Sequence, residues 1–143
     1  MKQDDTDLDE LYNRLGFLIR RAHQKASATF QVHLNGITTS QFGALNILSN
    51  KKGLDQNNLA KFLCVDKTNA GVVVKSLEKH GFITRTPSTT DRRQKILDIT
   101  PSGKLAYESI LANARKAHDE LSSKFTKEEV AQFRSYLKRV IED

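Results

Sequence analysis

The chain has 143 residues, of which 38% are hydrophobic and 28% are charged, and its formal net charge is +6. These values are typical of one folded domain with a sizeable core, and they argue against a disordered chain. No apolar run approaches the roughly 18 residues of a membrane helix, and the acidic start MKQDDTDLDE lacks the layout of a signal peptide. The single cysteine, Cys64, excludes an internal disulfide. We therefore expect a cytoplasmic protein.

The first third of the chain carries the apolar periodicity of helices. Leucines and alanines recur at three- and four-residue steps as far as Ala26, which predicts one long amphipathic helix over about residues 7–33. Thr38 stands three residues before Gln41, which is the spacing of a capping box. This pair predicts a second helix over about residues 39–50.

Two short helices are predicted next, close together in the chain. Asp55 is placed to cap a helix that ends near Cys64, and Asp66 is placed to cap a second one that Gly81 terminates. The second helix has an apolar stripe at Ala70, Val73, Val74 and Leu77, and the residues left facing outward are Thr68, Asn69, Val72, Lys75, Ser76 and Lys79. The pair predicts a helix-turn-helix, although these residues alone also fit a plain helical hairpin.

The stretch PSTTDRRQKILDIT, residues 87–100, breaks the helical pattern. Residues 82–86 and 95–99 read as two antiparallel strands, and residues 87–94 form the loop that carries the adjacent Arg92 and Arg93. A hairpin of two short strands is marginal by itself, so this one must pack against the helices beside it. The combination predicts a winged helix-turn-helix, whose basic loop lies over a DNA minor groove when the preceding helix occupies the major groove.

Positive charge is concentrated in this same region. Residues 61–95 hold eight lysines and arginines against three acids, whereas residues 1–10 hold one lysine against five acids. A basic segment of this density indicates a polyanionic partner. The charge taken alone fits a solvated surface equally well.

The end of the chain predicts two further helices. Thr100 followed by Pro101 is a helix start, and the helix continues to about residue 122; Thr126 and Glu129 then form a second capping box. Together with the first helix, these helices carry more apolar positions than one chain covers, so they pack on each other or form a dimer, and we expect the dimer. The predicted domains are an N-terminal dimerisation helix (1–35), a winged helix-turn-helix (36–100) and C-terminal dimerisation helices (101–143).

Three segments carry a resemblance to a known family: ITTSQFGALNIL, LAKFLCVDKTNAGVVVKSLEKHGFITR and DRRQKILDITPSG. They resemble the MarR family of bacterial transcription regulators across almost the whole chain. The resemblance implies a mainly α fold with a small β-ribbon wing, a homodimer held by the terminal helices, and a repressor released from a pseudo-palindromic operator by a small aromatic or phenolic ligand. The family's recognition helix often carries an arginine where this chain has Val72, which shifts the predicted base reading to Lys67, Thr68 and Asn69 and leaves the operator sequence open.

The candidate DNA contacts follow from these motifs. Arg93 matches the family's wing arginine and is predicted to enter the minor groove, with Asp91 orienting it by a charge-assisted bond; the alternative is a surface salt bridge without a DNA role. Arg92 and Lys95 are predicted to meet phosphates. The remaining candidates lie at two helices: Thr38, Ser40, Lys67, Thr68, Asn69, Val72, Lys75 and Ser76. A helix N-terminus favours phosphate, so the first-turn residues either position the protein or read bases.

The resemblance also implies an effector site between the dimer helices and the winged lobe, for a small aromatic acid. Its wall is predicted from Phe17, Arg20, Arg21, Phe42 and Leu45, because an arginine beside aromatic rings suits such an acid. The alternative is that the phenylalanines belong to the core and the arginines to the surface.

Other chemistries find little support. The chain has no GxSxG, no glycine-rich phosphate loop and no HExxH, and its four histidines lack metal-ligand spacing, so we expect neither an enzyme nor a metal or cofactor. Cys64 is expected to pack as a small apolar residue rather than to sense oxidants. The competing class is an architectural or constitutive DNA-binding protein that no ligand releases from DNA.

Overall fold

The computed structural model describes the backbone of residues 2–143 and the side chains from residue 7 onward. In this range the chain forms seven helices and three short strands. In chain order they are α1 (Lys2–Asn13), α2 (Leu15–His33), α3 (Thr39–Asn50), β1 (Leu54–Asp55), α4 (Gln56–Leu63), α5 (Lys67–Lys79), β2 (Ile83–Pro87), β3 (Lys95–Ile99), α6 (Pro101–Ser122) and α7 (Lys127–Ile141). The predicted mainly α fold with a small β-ribbon wing is confirmed.

The single helix predicted over residues 7–33 is wrong, because the chain breaks at Arg14. Arg14 adopts an extended backbone with ψ 134°, so that α1 and α2 are separate helices. Gly16, two residues further on, lowers helix stability at this point. The apolar side chains on either side, such as Leu11 and Leu15, are exposed in the single chain and do not hold the two helices in line.

Four predicted helix starts are confirmed together with their caps. The side chains of Thr38, Asp55, Asp66 and Thr100 each accept a hydrogen bond from the backbone N–H three residues later. Thr126 does the same at the start of α7, where Glu129 completes the predicted capping box. Each cap satisfies an N–H group that would otherwise lack a partner, which fixes where the helix begins.

The first core lies between the helix-turn-helix and the sheet. Leu45 and Leu48 of α3, Leu59 of α4 and Leu77 of α5 are buried together, and β2 and β3 cover them with further apolar side chains: Ile83, Leu97 and Ile99. The stripe predicted for α5, Ala70, Val73, Val74 and Leu77, is buried as expected. This core fixes the orientation of α5 relative to the sheet.

The junction between α5 and β2 is closed by Gly81, as predicted. Gly81 has φ +74°, its N–H donates to the carbonyl of Glu78, and the N–H of Phe82 donates to the carbonyl of Leu77. These two bonds form a Schellman motif, which needs the left-handed backbone that glycine adopts without strain. Because Phe82 belongs to this motif, β2 begins at Ile83 and ends at Pro87, one residue later than predicted.

The sheet has three antiparallel strands in the order β1-β3-β2. Ile83 pairs with Ile99 and Pro87 with Lys95, so β2 and β3 form the predicted hairpin. The outer strand β1 was not predicted: Leu54 pairs with Leu97 and Asp55 with Ile96. Two residues are too few to show a strand periodicity, but they attach the hairpin to the start of α4.

A second core joins the N-terminal and C-terminal parts of the chain. Leu34, Ile110 and Ala114 are buried together, with Phe30 and Phe42 packed against them. Between the same two parts, His33 Nε2 lies 2.9 Å from Oε2 of Glu120. This packing holds α2 against α6 beside the helix-turn-helix.

The terminal helices expose their apolar faces. Leu15 is 68% exposed, Val140 is 56% exposed and Ile141 is 78% exposed, and α7 has no buried residue at all. Other large apolar side chains exposed on α1 and α7 are Leu8, Leu11, Phe133 and Leu137. None of the described helices is long and apolar enough to cross a membrane.

Candidate nucleic-acid interface

The outer face of α5 carries most of the predicted base-reading residues. Lys67, Thr68 and Asn69 form its first turn and are exposed, and so is Lys75 further along the helix. Val72 is 64% exposed although it is apolar, so it presents a methyl surface to whatever lies against α5. Helix caps and the buried stripe therefore place all these side chains on one accessible face.

The first turn of α5 is held in position by its cap. Oδ1 of Asp66 accepts from the backbone N–H of Asn69 at 2.7 Å, and Oδ2 accepts from the Asn69 side-chain amide at 2.9 Å. The Asn69 amide is thus oriented before it meets a ligand, with its Oδ1 left to accept a further bond. Pre-orientation of this kind suits a residue that contacts DNA at the start of a helix.

Ser76 does not face outward as predicted. It is half-buried, and its Oγ accepts a hydrogen bond of 2.8 Å from Nε2 of Gln41 on α3. The periodicity of α5 places Ser76 at the border of the buried face, where a neighbouring helix engages it. Its hydroxyl oxygen is thus engaged by α3, and its predicted contact with DNA stays a prediction.

The wing carries the predicted cations on an ordered loop. Arg92, Arg93 and Lys95 are exposed. The loop is closed by a hydrogen bond of 2.8 Å from the Ser88 N–H to the Gln94 carbonyl. The predicted bond from Asp91 to the Arg93 guanidinium is wrong: Oδ1 of Asp91 accepts from the backbone N–H of Arg93 at 3.0 Å. Asp91 therefore shapes the turn, as short acidic side chains commonly do in loops, and does not pair with the arginine's charge.

An ion pair ties the wing to α5. Nε of Arg85 on β2 lies 2.7 Å from Oε2 of Glu78 on α5, and Nη2 lies 3.3 Å from Oε1. These hydrogen bonds hold the pKa of Glu78 below its ordinary value and raise the pKa of Arg85. A carboxylate with a lowered pKa stabilises the fold at neutral pH, and this contribution is lost as the pH falls through the lowered value. The pair is solvent-accessible, so its effect is screened by salt.

Arg85 is therefore engaged within the protein, whereas the other cations of this surface are not. Among residues 7–143, Arg14 and Arg85 each form an ion pair with a glutamate, and His33 contacts Glu120. In that range no carboxylate pairs with the cations of the α5 face and the wing, which are Lys67, Lys75, Arg92, Arg93 and Lys95. Unneutralised cations on adjoining elements form a surface that attracts phosphates.

Two further candidates stand at the start of α3. Oγ1 of Thr38 accepts the capping bond from the Gln41 N–H at 3.1 Å, so its own O–H remains able to donate to a phosphate. Ser40 is half-buried in the first turn of the same helix. Both lie at a helix N-terminus, where backbone N–H groups favour an anion.

Cys64 lies between α4 and α5 and is exposed, so the prediction that it packs as an apolar residue is wrong. Its backbone is left-handed, with φ +56°, because it caps the C-terminus of α4 and stands outside the helix. The apolar face of α4 ends one residue earlier, at Leu63. Among the described residues no group of three or more histidine, cysteine or acidic side chains is arranged to hold a metal ion.

A cavity of about 240 Å³ that is widely open to solvent lies between α2 and α3. Its apolar walls are Phe30, Phe42 and Ala26, and its polar groups are His23, Ser27 and Thr39. The ring of Phe42 also packs against Tyr107 of α6, at 5.6 Å between centroids. The cavity is smaller than the roughly 300 Å³ at which drug-sized sites begin, so its volume suits a single substituted ring.

Of the five residues predicted to line an effector site, the structure brings Phe42 to this cavity. Leu45 is fully buried in the first core, one turn beyond Phe42. Phe17 packs against Tyr12 at 5.5 Å, Arg21 lies over the same Tyr12 ring at 5.4 Å, and Arg20 is exposed. In the single chain Arg20 and Arg21 stand apart from the cavity, and the polar groups that reach it are ones that the sequence did not single out.

These elements, a helix-turn-helix with a polar and basic second helix and a basic wing on the next hairpin, define a winged helix-turn-helix DNA-binding protein. The model of the MarR family matches residues 37–95. A transcriptional regulatory protein for the hcr operon of Thauera aromatica is 32% identical over 97% of this chain and 89% of its own length. The chain belongs to the MarR family, whose members are transcription regulators and not enzymes.

Solved structures share the same fold. The transcriptional repressor CouR, bound to a 23-mer DNA duplex, superposes with a TM-score of 0.85 at 26% identity, covering 93% of this chain and 96% of CouR. BpsR of Bordetella bronchiseptica, whose DNA binding is regulated by 6-hydroxynicotinic acid, superposes with a TM-score of 0.87 at 21% identity over 92% of this chain and 96% of its own. MarR regulators bind DNA and act as dimers.

Proposed function

We propose that this protein is a homodimeric repressor that binds a pseudo-palindromic operator and is released from it by a small aromatic ligand. The observation that carries the proposal is the pairing of the exposed α5 face with a basic wing, whose cations have no acidic partner in the described part of the chain. A regulator of this kind acts on the chromosome, so we place it in the bacterial cytoplasm.

The exposed apolar faces of the terminal helices support the dimer. The apolar surface that α1, α7 and the first turn of α2 expose is larger than a monomer usually exposes to solvent. Helix α7 buries no residue within its own chain. A second copy would cover these faces and place two α5 helices about one turn of DNA apart, which is roughly 34 Å. The division into residues 1–35, 36–100 and 101–143 is proposed on the same basis, with dimerisation at both ends.

Within the lobe, we propose that α5 reads bases and that the wing adds minor-groove affinity. Lys67, Thr68 and Asn69 approach the major groove, and Val72 contacts a thymine methyl group. Arg93 enters the neighbouring minor groove, while Arg92, Lys75 and Lys95 meet phosphates. Thr38 and Ser40 contact the backbone beside the lobe.

Footprinting of the DNA upstream of the protein's own gene tests this assignment. We expect Arg93→Ala to weaken binding to the protected duplex by about 1–3 kcal/mol, most strongly where the minor groove is narrow and A·T-rich. Lys95→Ala should lower the slope of log affinity against log salt by about 0.9, which is the loss of one phosphate contact.

Lys116→Ala is the matched control, because it removes an exposed cation from α6, away from the α5 face and the wing. Its affinity and salt slope should equal those of the parent protein. Parental affinity of Arg93→Ala for the operator would remove the wing from the proposed interface.

For the effector, we propose the cavity between α2 and α3. Phe30 and Phe42 offer apolar surface to an aromatic ring, while His23, Ser27 and Thr39 can bond a phenolic hydroxyl or a carboxylate. The described regulation of BpsR by 6-hydroxynicotinic acid supports a ligand of this chemical class. Such a ligand weakens DNA binding if it prefers a lobe arrangement that misfits the operator.

A panel of benzoate, salicylate and 4-hydroxycinnamate tests the effector proposal by calorimetry and by operator release. We expect at least one member to bind with a Kd below about 1 mM and to weaken operator binding by about 5- to 150-fold. Ala26→Leu should abolish binding of that member by filling the cavity, while leaving the operator affinity of the ligand-free protein near the parental value. If no member binds, or if binding leaves DNA affinity unchanged, the protein is better described as a constitutive DNA-binding protein.

A further inference from the structure

Gln41 occupies an unusual place between the cavity and α5. It lies in the first turn of α3, between Thr39 and Phe42, which both line the cavity. Its Oε1 accepts from the Thr38 N–H at 3.0 Å, and its Nε2 donates to Oγ of Ser76 on α5 at 2.8 Å. A residue that is flanked in the sequence by cavity-lining residues thus bonds to the helix that carries the candidate base contacts.

The bond from Gln41 to Ser76 is the one side-chain hydrogen bond between α3 and α5 among the residues whose side chains the structure describes. The two helices also share the first core, to which Leu45, Leu48 and Leu77 contribute apolar contacts. Apolar surfaces tolerate small sliding movements, whereas a hydrogen bond weakens steeply when its distance or angle changes. The bond is half-buried, which makes the loss of either partner costly.

The capping box makes the first turn of α3 move as a unit. The backbone N–H of Gln41 donates to Oγ1 of Thr38 at 3.1 Å, while the Gln41 side chain bonds back to the Thr38 N–H. A ligand that displaces Thr39 and Phe42 therefore also displaces the Gln41 side chain. Ser76 lies one turn after Val72 and next to Lys75, so a shift at Ser76 changes the position of the DNA-facing side chains.

We propose that Gln41 is the positioning residue that transmits occupancy of the α2–α3 cavity to α5 through its hydrogen bond to Ser76. The inference deepens the proposed effector function and rests on it. By linkage, the coupling acts in both directions, so operator DNA that fixes α5 must also alter the cavity.

The effect of operator DNA on the cavity gives a test of the coupling that needs no effector. The probe is the protected duplex from upstream of the gene, added to protein with isotope-labelled phenylalanine, and the readout is the ring NMR signals of Phe30 and Phe42. We expect the duplex to shift both signals in the parent protein. In Ser76→Ala, which removes the acceptor of the Gln41 bond but keeps the capping box, these shifts should fall to less than about half with saturating duplex.

Two variants separate coupling from general structural damage. Gln41→Glu keeps the capping box, and its second carboxylate oxygen accepts from the Ser76 hydroxyl, so it should retain the parental shifts. Ser49→Ala removes a half-buried hydroxyl from α3 that makes no side-chain hydrogen bond in residues 7–143, and it should also behave as the parent does. Undiminished shifts in Ser76→Ala, or no shift of either ring in the parent, would overturn the proposal.

A second experiment measures operator release by whichever member of the ligand panel binds the parent protein. We expect the Ser76→Ala protein to bind that member with parental affinity. The factor by which the bound member weakens operator binding should fall about fivefold in this variant, which corresponds to the free energy of one hydrogen bond. Gln41→Glu should restore the factor, and an unchanged factor in Ser76→Ala would contradict the inference. If no panel member binds the parent, the effector proposal fails by itself, and the duplex-induced ring shifts decide the role of Gln41.

Discussion

Val140→Asp is expected to convert the protein from a dimer of about twice 16.2 kDa into a monomer at micromolar concentration. Val140 lies on the apolar face of α7 and is 56% exposed in the single chain, so a carboxylate there would be buried without a partner once a second copy covers that face. The monomer can engage one half-site at a time. Operator affinity should therefore fall by roughly 10²- to 10⁴-fold, the range lost when two linked contacts become independent.

Analytical ultracentrifugation and operator titration measure the two effects on the same sample. Ser135→Asp is the matched control, because it adds the same charge to α7 on the side opposite to Phe133 and Leu137. It should remain dimeric and keep parental affinity. A Val140→Asp protein that stays dimeric would show that α7 is not part of the subunit interface.

Gly103→Ala is expected to destabilise the fold by about 3 kcal/mol or more, which lowers Tm by roughly 10 °C. A Cβ at this position would overlap the carbonyl oxygen of Phe82 and lie 2.8 Å from Cγ1 of Ile99. The carbonyl cannot move freely, since it accepts the Thr100 N–H at 2.9 Å. Strain would therefore spread to the junction of β3 and α6. The close approach explains why the TPSG segment ends in glycine.

Gly16→Ala provides the comparison for thermal and urea unfolding. Gly16 also lies in a helix, but apart from its chain neighbours and the backbone of its own helix, no described atom lies within 4 Å of the position that its Cβ would take. Alanine at Gly16 should raise stability by up to about 1 kcal/mol, because it favours the helical backbone. Equal stabilities of the two variants would mean that the backbone at Gly103 adjusts without strain.

Local signals explain how far the sequence predicts this fold. Five helix starts were predicted correctly because a capping side chain and the N–H that it binds are three residues apart, as at Asp66 and Thr126. The break at Arg14 was missed because the leucine repeat continues across it in phase. The strand β1 was missed because two residues carry no periodicity, and its pairing with Leu97 is set by the rest of the sheet.

The sequence predicts which elements form the candidate nucleic-acid interface, but it predicts fewer of the contacts that their side chains make. The periodicity of α5 identifies the outward face, but it cannot show that Gln41, 35 residues earlier in the chain, holds Ser76. Asp91 and Arg93 are two residues apart in the sequence, which suggested a salt bridge, yet the carboxylate of Asp91 accepts from the backbone N–H of Arg93. An effector site was predicted from the family with a different set of wall residues, and the residues that line the α2–α3 cavity depend on how these helices pack, which no local pattern encodes.

The small strand β1 has a consequence for how the molecule opens and exchanges its amide protons. Asp55 pairs with Ile96 of β3 and at the same time caps α4, where its Oδ1 accepts from the Asn58 N–H at 2.8 Å. Asp55 therefore joins β3 of the wing hairpin to the first helix of the helix-turn-helix, and separating the two breaks both contacts. In native-state hydrogen exchange, amides of β3 around Ile96 should open together with those of α4, while the loop from Ser88 to Gln94 exchanges by smaller local openings. The strands of the wing hairpin should thus belong to the same cooperative folding unit as α4, and only the loop between them should open independently.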